Sequence, residues 1–194
     1  HNLGAVPEMM WVKRRSGATN WAVYHKGTDA SAPEDYYLEL NTATARQDDS
    51  NRWNDTAPTS SVFTVSTGNA VNGSGETYIA YLFATVTGVS KVGSYTGSSS
   101  SAVTVDCGFS NGARFVLIKS VDGSGNWYLY DSVRGINSSA DDAQLFLNTT
   151  DAETNNSNNI DPHSSGFTVT QQANSPISQN GETFIFYAIA NDPS

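Results

Sequence analysis

The sequence predicts an all-β fold built as two tandem antiparallel β-sandwiches of jelly-roll type, and three observations carry that prediction. Apolar residues alternate with polar ones at a period of two through most of the chain. Nowhere do apolar residues recur at helical spacing over three turns with a cap and a glycine stop, so no helix longer than two turns is expected. The chain is also written twice. Asn20-Trp21 returns as Asn126-Trp127, Lys13 as Lys119 and Gly75-Glu76-Thr77 as Gly181-Glu182-Thr183, each at the same spacing of 106 positions (127 − 21, 119 − 13, 182 − 76).

In the first copy, Trp21 and Val23 share one strand face and Ala22 and Tyr24 the other, with the Trp and its aliphatic partner read as the inward pair. Leu38 with Leu40 and Phe63 with Val65 repeat the spacing, flanked by turn-forming Asn, Asp, Ser or Gly. An Asn72-Gly73 turn, whose residues accept the positive φ of a tight hairpin, precedes the run 77–86. That run is apolar on both faces, which predicts a central strand covered on each side.

The second copy is preceded by two strand-like runs, 91–97 and 102–107, around a serine-rich turn. It then repeats the pattern: Trp127 and Leu129 against Tyr128 and Tyr130, Leu145 with Leu147, Phe167 with Val169, an Asn180-Gly181 turn, and the doubly apolar run 183–190. Residues 86–90 are the natural junction, which divides the chain into repeats at 1–88 and 89–194. Because Leu3 aligns with Phe109, the counterpart of the runs 91–107 would lie upstream of His1. The first unit is therefore expected to lack its N-terminal strands, and the chain to be part of a longer polypeptide.

Composition excludes several function classes. Net charge is −9 with a pI near 4.5, and the ten Lys and Arg residues are scattered, so there is no electrostatic footprint for nucleic acid. The longest apolar run, 78–86, is too short to cross a bilayer as a helix, and no basic targeting run is visible. The single cysteine, Cys107, rules out an intrachain disulfide and is expected to be buried.

Catalytic and metal chemistry leave few candidates. His1, His25 and His163 have no metal-ligand spacing, and His25 reads as a solvated strand end. Asn72-Gly73-Ser74-Gly75 is a hairpin and not a nucleophile elbow, since no helix follows it. Glu76 and Glu182 occupy equivalent hairpin positions, where a glycosidase-type carboxylate is weighed against an exposed residue satisfying turn amides. Calcium is conceivable at the acidic, Asn-rich stretches 47–51 and 151–155, although the alternating ligand array with its Gly and terminal Glu is missing. No catalytic residue, metal or cofactor is assigned.

Aromatic side chains are the better binding candidates, because Trp and Tyr faces stack on sugar rings. Trp21 and Trp127 recur with their neighbours and read as core anchors. Tyr24 and Tyr130, on the opposite face, read as exposed contacts. Tyr36, Tyr37 and Trp53 belong to the first copy alone, either as a specialised binding side or as an apolar cover.

Four stretches carry a family resemblance: 20–26 (Asn-Trp through His-Lys), 37–42 (Tyr-Leu-Glu-Leu-Asn-Thr), 57–65 (Ala-Pro-Thr-Ser-Ser-Val-Phe-Thr-Val) and 72–84 (Asn-Gly-Ser-Gly-Glu-Thr-Tyr-Ile-Ala-Tyr-Leu-Phe-Ala). With Ser94-Tyr95-Thr96-Gly97 and Asn126-Trp127-Tyr128, the whole chain resembles a duplicated β-domain of bacteriophage tail proteins of marine and cyanobacterial phages. The resemblance implies a virion structural component at the distal part of a fibre or tail protein, beside lectin-like domains, with no catalytic residues. In that family the first copy also begins with a Tyr-Thr-Gly run. The expectation is a non-enzymatic virion module, assembled in the host cytoplasm and carried on the particle surface. It would associate as a homo-oligomer, trimer favoured, or with other virion proteins, and contact host glycan without nucleic acid or membrane insertion. A capsid or tail decoration subunit, or a carbohydrate-binding module of a secreted enzyme, are the alternatives.

Overall fold

A computed structural model describes residues 1–138, 140–172 and 175–192 of the 194-residue chain, and its regular structure is almost wholly antiparallel β. It divides into two compact units, residues 1–84 and 85–194. The connecting residues are tied into the second unit, where the Thr85 hydroxyl accepts the Val92 N–H at 3.2 Å and Val86 bridges to Ser90.

The first unit contains β1 (Met9–Arg14), β2 (Ala22–His25), β3 (Tyr36–Glu39), β4 (Gln47–Asp48), the single-turn helix α1 (Asn69–Asn72) and β5 (Tyr78–Phe83). Its strands form one sheet in the order β4-β3-β2-β1-β5. The second unit contains β6 (Ser90–Thr96), β7 (Val103–Asp106), β8 (Ala113–Ser120), β9 (Tyr128–Asp131), β10 (Leu145–Phe146), β11 (Ile160–His163), β12 (Gly166–Val169) and β13 (Thr183–Ala190). A five-stranded sheet β10-β9-β8-β13-β6 faces a three-stranded sheet β11-β12-β7. Val116, Ile118, Tyr130, Phe184 and Phe186 of the larger sheet meet Val105, Ile160, Phe167 and Val169 of the smaller in one buried cluster.

The repeat visible in the sequence is matched residue for residue in the strand registers. Met9 opposite His25 and Arg14 opposite Tyr78 become Phe115 opposite Asp131 and Ser120 opposite Phe184, and Val23 opposite Leu38 becomes Leu129 opposite Leu145. Since a one-residue slip would turn every side chain to the other face, keeping these registers keeps the same faces inward.

Four expectations are corrected. β13 is central, held between β8 and β6, but its counterpart β5 is an edge strand with Ile79 39% and Tyr81 46% exposed. Two apolar faces describe covering above and below a strand and are silent on which strand lies beside it; β13 has β6 there. Phe63 and Val65 form no strand: they pack as irregular chain on Met10, Val12, Tyr24, Tyr37, Trp53 and Val71. Their counterparts in β12 pair with β7, and the described part of the first unit holds no equivalent of that strand. Asn72 and Gly73 take negative φ at the end of α1, and the positive φ falls on Gly75 (76°), matching Gly181 (79°).

The fourth concerns faces. Tyr24 and Tyr130 point into the cores at 4% and 0% exposure, while Trp127 and Val23 on the other face are buried as well and Trp21 partly so. Alternation separates two faces of a strand, and here both are covered.

Candidate functional site

The aromatic residues singled out in the first unit do converge, as packing and not as an open platform. Trp53 is 1% exposed, donates its Nε1–H to the Tyr36 carbonyl at 3.0 Å and meets Tyr24 edge to face at 6.1 Å. Tyr37 is buried, with its hydroxyl on Gln47 Oε1 and the Arg52 guanidinium 4.3 Å above its ring. Tyr36 is half-buried and its ring is capped by Arg46 at 4.7 Å. In the second unit the Tyr130 hydroxyl donates to Gln144 Oε1 at 3.1 Å inside the core. Burial raises the hydroxyl pKa of Tyr24 to about 12 and that of Tyr130 beyond the usual phenol range. The expectation of exposed contacts is thus corrected for Tyr24 and Tyr130, and of the two readings of Tyr37 and Trp53 their burial agrees with an apolar cover.

The ionisable candidates are likewise engaged locally. Glu76 accepts the Ser16 hydroxyl and pairs with Arg14, and these hold its carboxyl below the usual range. Glu182 accepts the Ser120 hydroxyl at 3.1 Å. The neighbouring turn amides are served by others: Ser16 Oγ accepts the Thr77 N–H at 3.1 Å, and Asp122 Oδ2 accepts the equivalent Thr183 N–H at 2.8 Å. His25 is not a solvated strand end but is fully buried, its Nδ1 accepting the Gly27 N–H at 2.9 Å. Asp142, also buried, receives the backbone N–H groups of Asn137, Asn159 and Ile160 at 2.8–3.0 Å, the role of a loop-fastening acceptor.

In the two stretches considered for calcium, Asp49 caps the Asn51 N–H at 3.0 Å and pairs with Arg52, and Glu153 pairs with Arg134. Among the described residues no group of three His, Cys, Asp or Glu is placed to hold a metal ion, and no helix is long and apolar enough to cross a membrane.

Among the described residues of the second unit, two clefts are of note. One, of about 330 Å³, is lined by Ser99, Gln172, Ser175, Ser178, Gln179 and Asn180. Its floor is fixed: Ser178 donates to the Ser98 carbonyl at 2.8 Å and Ser175 to Asn159 Oδ1 at 3.2 Å, and both serines are buried. Its rim, Ser99, Gln179 and Asn180, is exposed. Hydroxyls and carboxamides both donate and accept, so the cleft suits a neutral polyhydroxylated ligand and offers no acid or base. The other cleft, of about 220 Å³, is lined by Asn111, Ser132, Ile136, His163 and Asn191 among others. Sequence reasoning missed the first cleft. Its available signal was a serine-rich turn at 97–101 and a Gln, Asn and Ser-rich stretch at 171–180, a pairing that the first copy lacks.

A family model described as a domain of unknown function, DUF7483, matches residues 1–193. The chain belongs to the DUF7483 family. No curated protein and no solved structure matches it. The DUF7483 match runs through both compact units, so it covers the paired registers as well as the cleft.

Proposed function

We propose that this DUF7483 chain is a non-catalytic structural and adhesion module of a bacteriophage tail fibre or related virion appendage. One observation supports it most. The polar groups in equivalent places of both units are spent on the fold: Asn41 and Asn148 fasten strand ends, Gly75 and Gly181 turn the chain, and Ser16 and Asp122 cap the same amide. The carboxylates weighed for a catalytic role, Glu76 with Ser16 and Arg14 and Glu182 with Ser120, are engaged within their own hairpin regions, and neither lines either of the two clefts described. The resemblance to phage tail domains supplies the setting.

Host attachment is assigned to the hydroxyl and carboxamide rim of Ser99, Gln179 and Asn180 in place of the buried tyrosines. A shallow neutral site of this kind binds glycan weakly, and symmetric copies, a trimer above all, raise the avidity.

Size-exclusion chromatography with light scattering, followed by a glycan array of the same sample, tests this reading. A dilution-stable oligomer that retains a glycan, with retention lost in Gln179→Ala/Asn180→Ala, supports it. A monomer that binds soluble polysaccharide moves the chain to the carbohydrate-binding-module alternative, and cleavage of any glycan contradicts the non-catalytic assignment.

A further inference from the structure

We infer that the outer edge of β5 is a strand-accepting site whose occupant is an extended segment with the sequence pattern of β6, bound antiparallel in the register that β6 keeps on β13. This does not depend on the phage reading.

The second unit supplies the template. β13 pairs with β8 on one side and β6 on the other, with Phe184 opposite Tyr95, Phe186 opposite Gly93 and Ala188 opposite Lys91. The Ala190 N–H donates to the Val89 carbonyl at 2.8 Å and the Gly97 N–H to the Glu182 carbonyl at 2.9 Å, so even-numbered residues of β13 turn their backbone groups toward β6. β5 pairs with β1 in the register by which β13 pairs with β8, shifted by 106. The Glu8 and Arg15 N–H groups donate to the Phe83 and Thr77 carbonyls at 2.8 and 2.7 Å, so odd-numbered residues of β5 face β1. The backbone groups of Tyr78, Ala80 and Leu82 therefore point along the open edge, where β6 would lie.

This edge also lacks the features by which sheets protect themselves. The first unit's other edge, β4, is two residues long, whereas β5 runs for six residues with no charge and no proline, and exposes Ile79 and Tyr81. By contrast β6, the edge strand that lies beside β13 in the second unit, carries Lys91.

The template also says which residues of an occupant matter. Tyr95 stacks on Phe184 at 5.3 Å and meets Phe167 at 6.5 Å, and the counterparts on the first unit are Tyr78 and Phe63. Gly93 leaves room for Phe186, since a Cβ there would lie 2.6 Å from that ring; Ala80 at the equivalent place makes no such demand. The occupant is a single strand and not a β6–β7 pair. β7 approaches so closely that a Cβ on Gly166 would lie 2.1 Å from the Val105 carbonyl, and Val62 stands at the position equivalent to Gly166.

The probe is a fluorescein-labelled synthetic peptide of residues 89–97 titrated into the full chain, with hydrogen exchange read at single amides. Saturable binding below about 1 mM is expected, with new protection at Ala80 and Leu82 and none gained at Phe186 and Ala188, because tethered β6 outcompetes the free peptide for β13. N-methylation of the peptide at Gly93, whose N–H faces the acceptor strand, weakens binding about tenfold or more, whereas N-methylation at Ser94 does not. Modifying the peptide leaves the protein's own folding untouched. Absence of binding, protection confined to β13, or indifference to Gly93 methylation overturns the proposal. So does self-association of the chain that protects Ala80 and Leu82 without peptide, which would make a second copy the occupant.

Discussion

Asn148 accepts the Trp127 N–H on its Oδ1 at 2.8 Å and returns its own amide to Asn126 Oδ1 at 2.8 Å, while the Leu147 N–H reaches the Trp127 carbonyl at 3.1 Å. Asn41 repeats the first two contacts with Trp21 and Asn20 at the same distances, and the Leu40 N–H reaches the Trp21 carbonyl at 3.1 Å as Leu147 does that of Trp127. One carboxamide thereby closes the start of one strand against the end of the next. Asn148→Ala leaves the N–H of buried Trp127 without its protein acceptor and is expected to cost about 1–3 kcal/mol. Asn41→Ala costs less, because Trp21 is only partly buried and water replaces the acceptor. Urea unfolding of the two variants checks the order.

Gly166 and Val62 occupy equivalent places with opposite steric demands. A methyl group on Gly166 would meet the Val105 carbonyl at 2.1 Å and the Cys107 backbone nitrogen at 3.0 Å, backbone atoms of β7 and of the residue that follows it. Gly166→Ala is expected to lower stability by about 2–3 kcal/mol, and Val62→Ala, at an exposed site, to change it by less than about 0.5 kcal/mol.

Lys119 is fully buried, its ammonium donating to the Ser120 carbonyl at 2.8 Å, and burial pulls its pKa down to about 8 against the opposing pull of Glu182. Below that value both states carry the proton and the folded chain bears the full cost of a buried charge. Between about pH 8 and 10.4 the unfolded chain holds a proton that the folded one has released, so stability rises with pH. Denaturation of the natural chain and of Lys119→Met from about pH 7.5 to 9.5 is expected to show their stability difference moving in favour of the natural chain as pH rises, because the buried Cys107 thiol and the tyrosines contribute alike to both.

Burial pushes the Cys107 thiol up to about 12, which leaves almost no thiolate at neutral pH. Iodoacetamide at about pH 8 is expected to leave the native chain unmodified and to alkylate it fully in urea. Prompt labelling of the native protein would mean that β7 and β12 open readily.

Where information was local, the sequence was readable. The repeat pairs Trp21 with Trp127 at a spacing of 106 and Leu38 with Leu145 at 107, and the register of Val23 opposite Leu38 returns as Leu129 opposite Leu145. The Gly75 and Gly181 turns are equivalent in conformation as well as in position. What the sequence could not disclose depends on distant chain. Ile79 and Ile185 read alike, yet one lies on an edge strand and the other beside β6, because strand neighbours are set by topology. Phe63 and Phe167 read alike, yet only the second has β7 to pair with. Tyr24 and Tyr130 read as outward because alternation implies one wet face, yet both faces of these strands are covered. The cleft at Ser99 and Gln179 joins segments about 80 residues apart, beyond any local pattern.

Hydrogen exchange along β5 and β13 tests the central claim most directly: two units share one set of strand registers, and only the second has its last strand covered on both edges. Ile79 and Tyr81 are expected to be protected while Ala80 and Leu82 exchange freely, giving an alternating pattern on β5, and Phe184 through Ala188 to be protected without alternation on β13. Uniform protection along β5, or alternation along β13, would contradict the account.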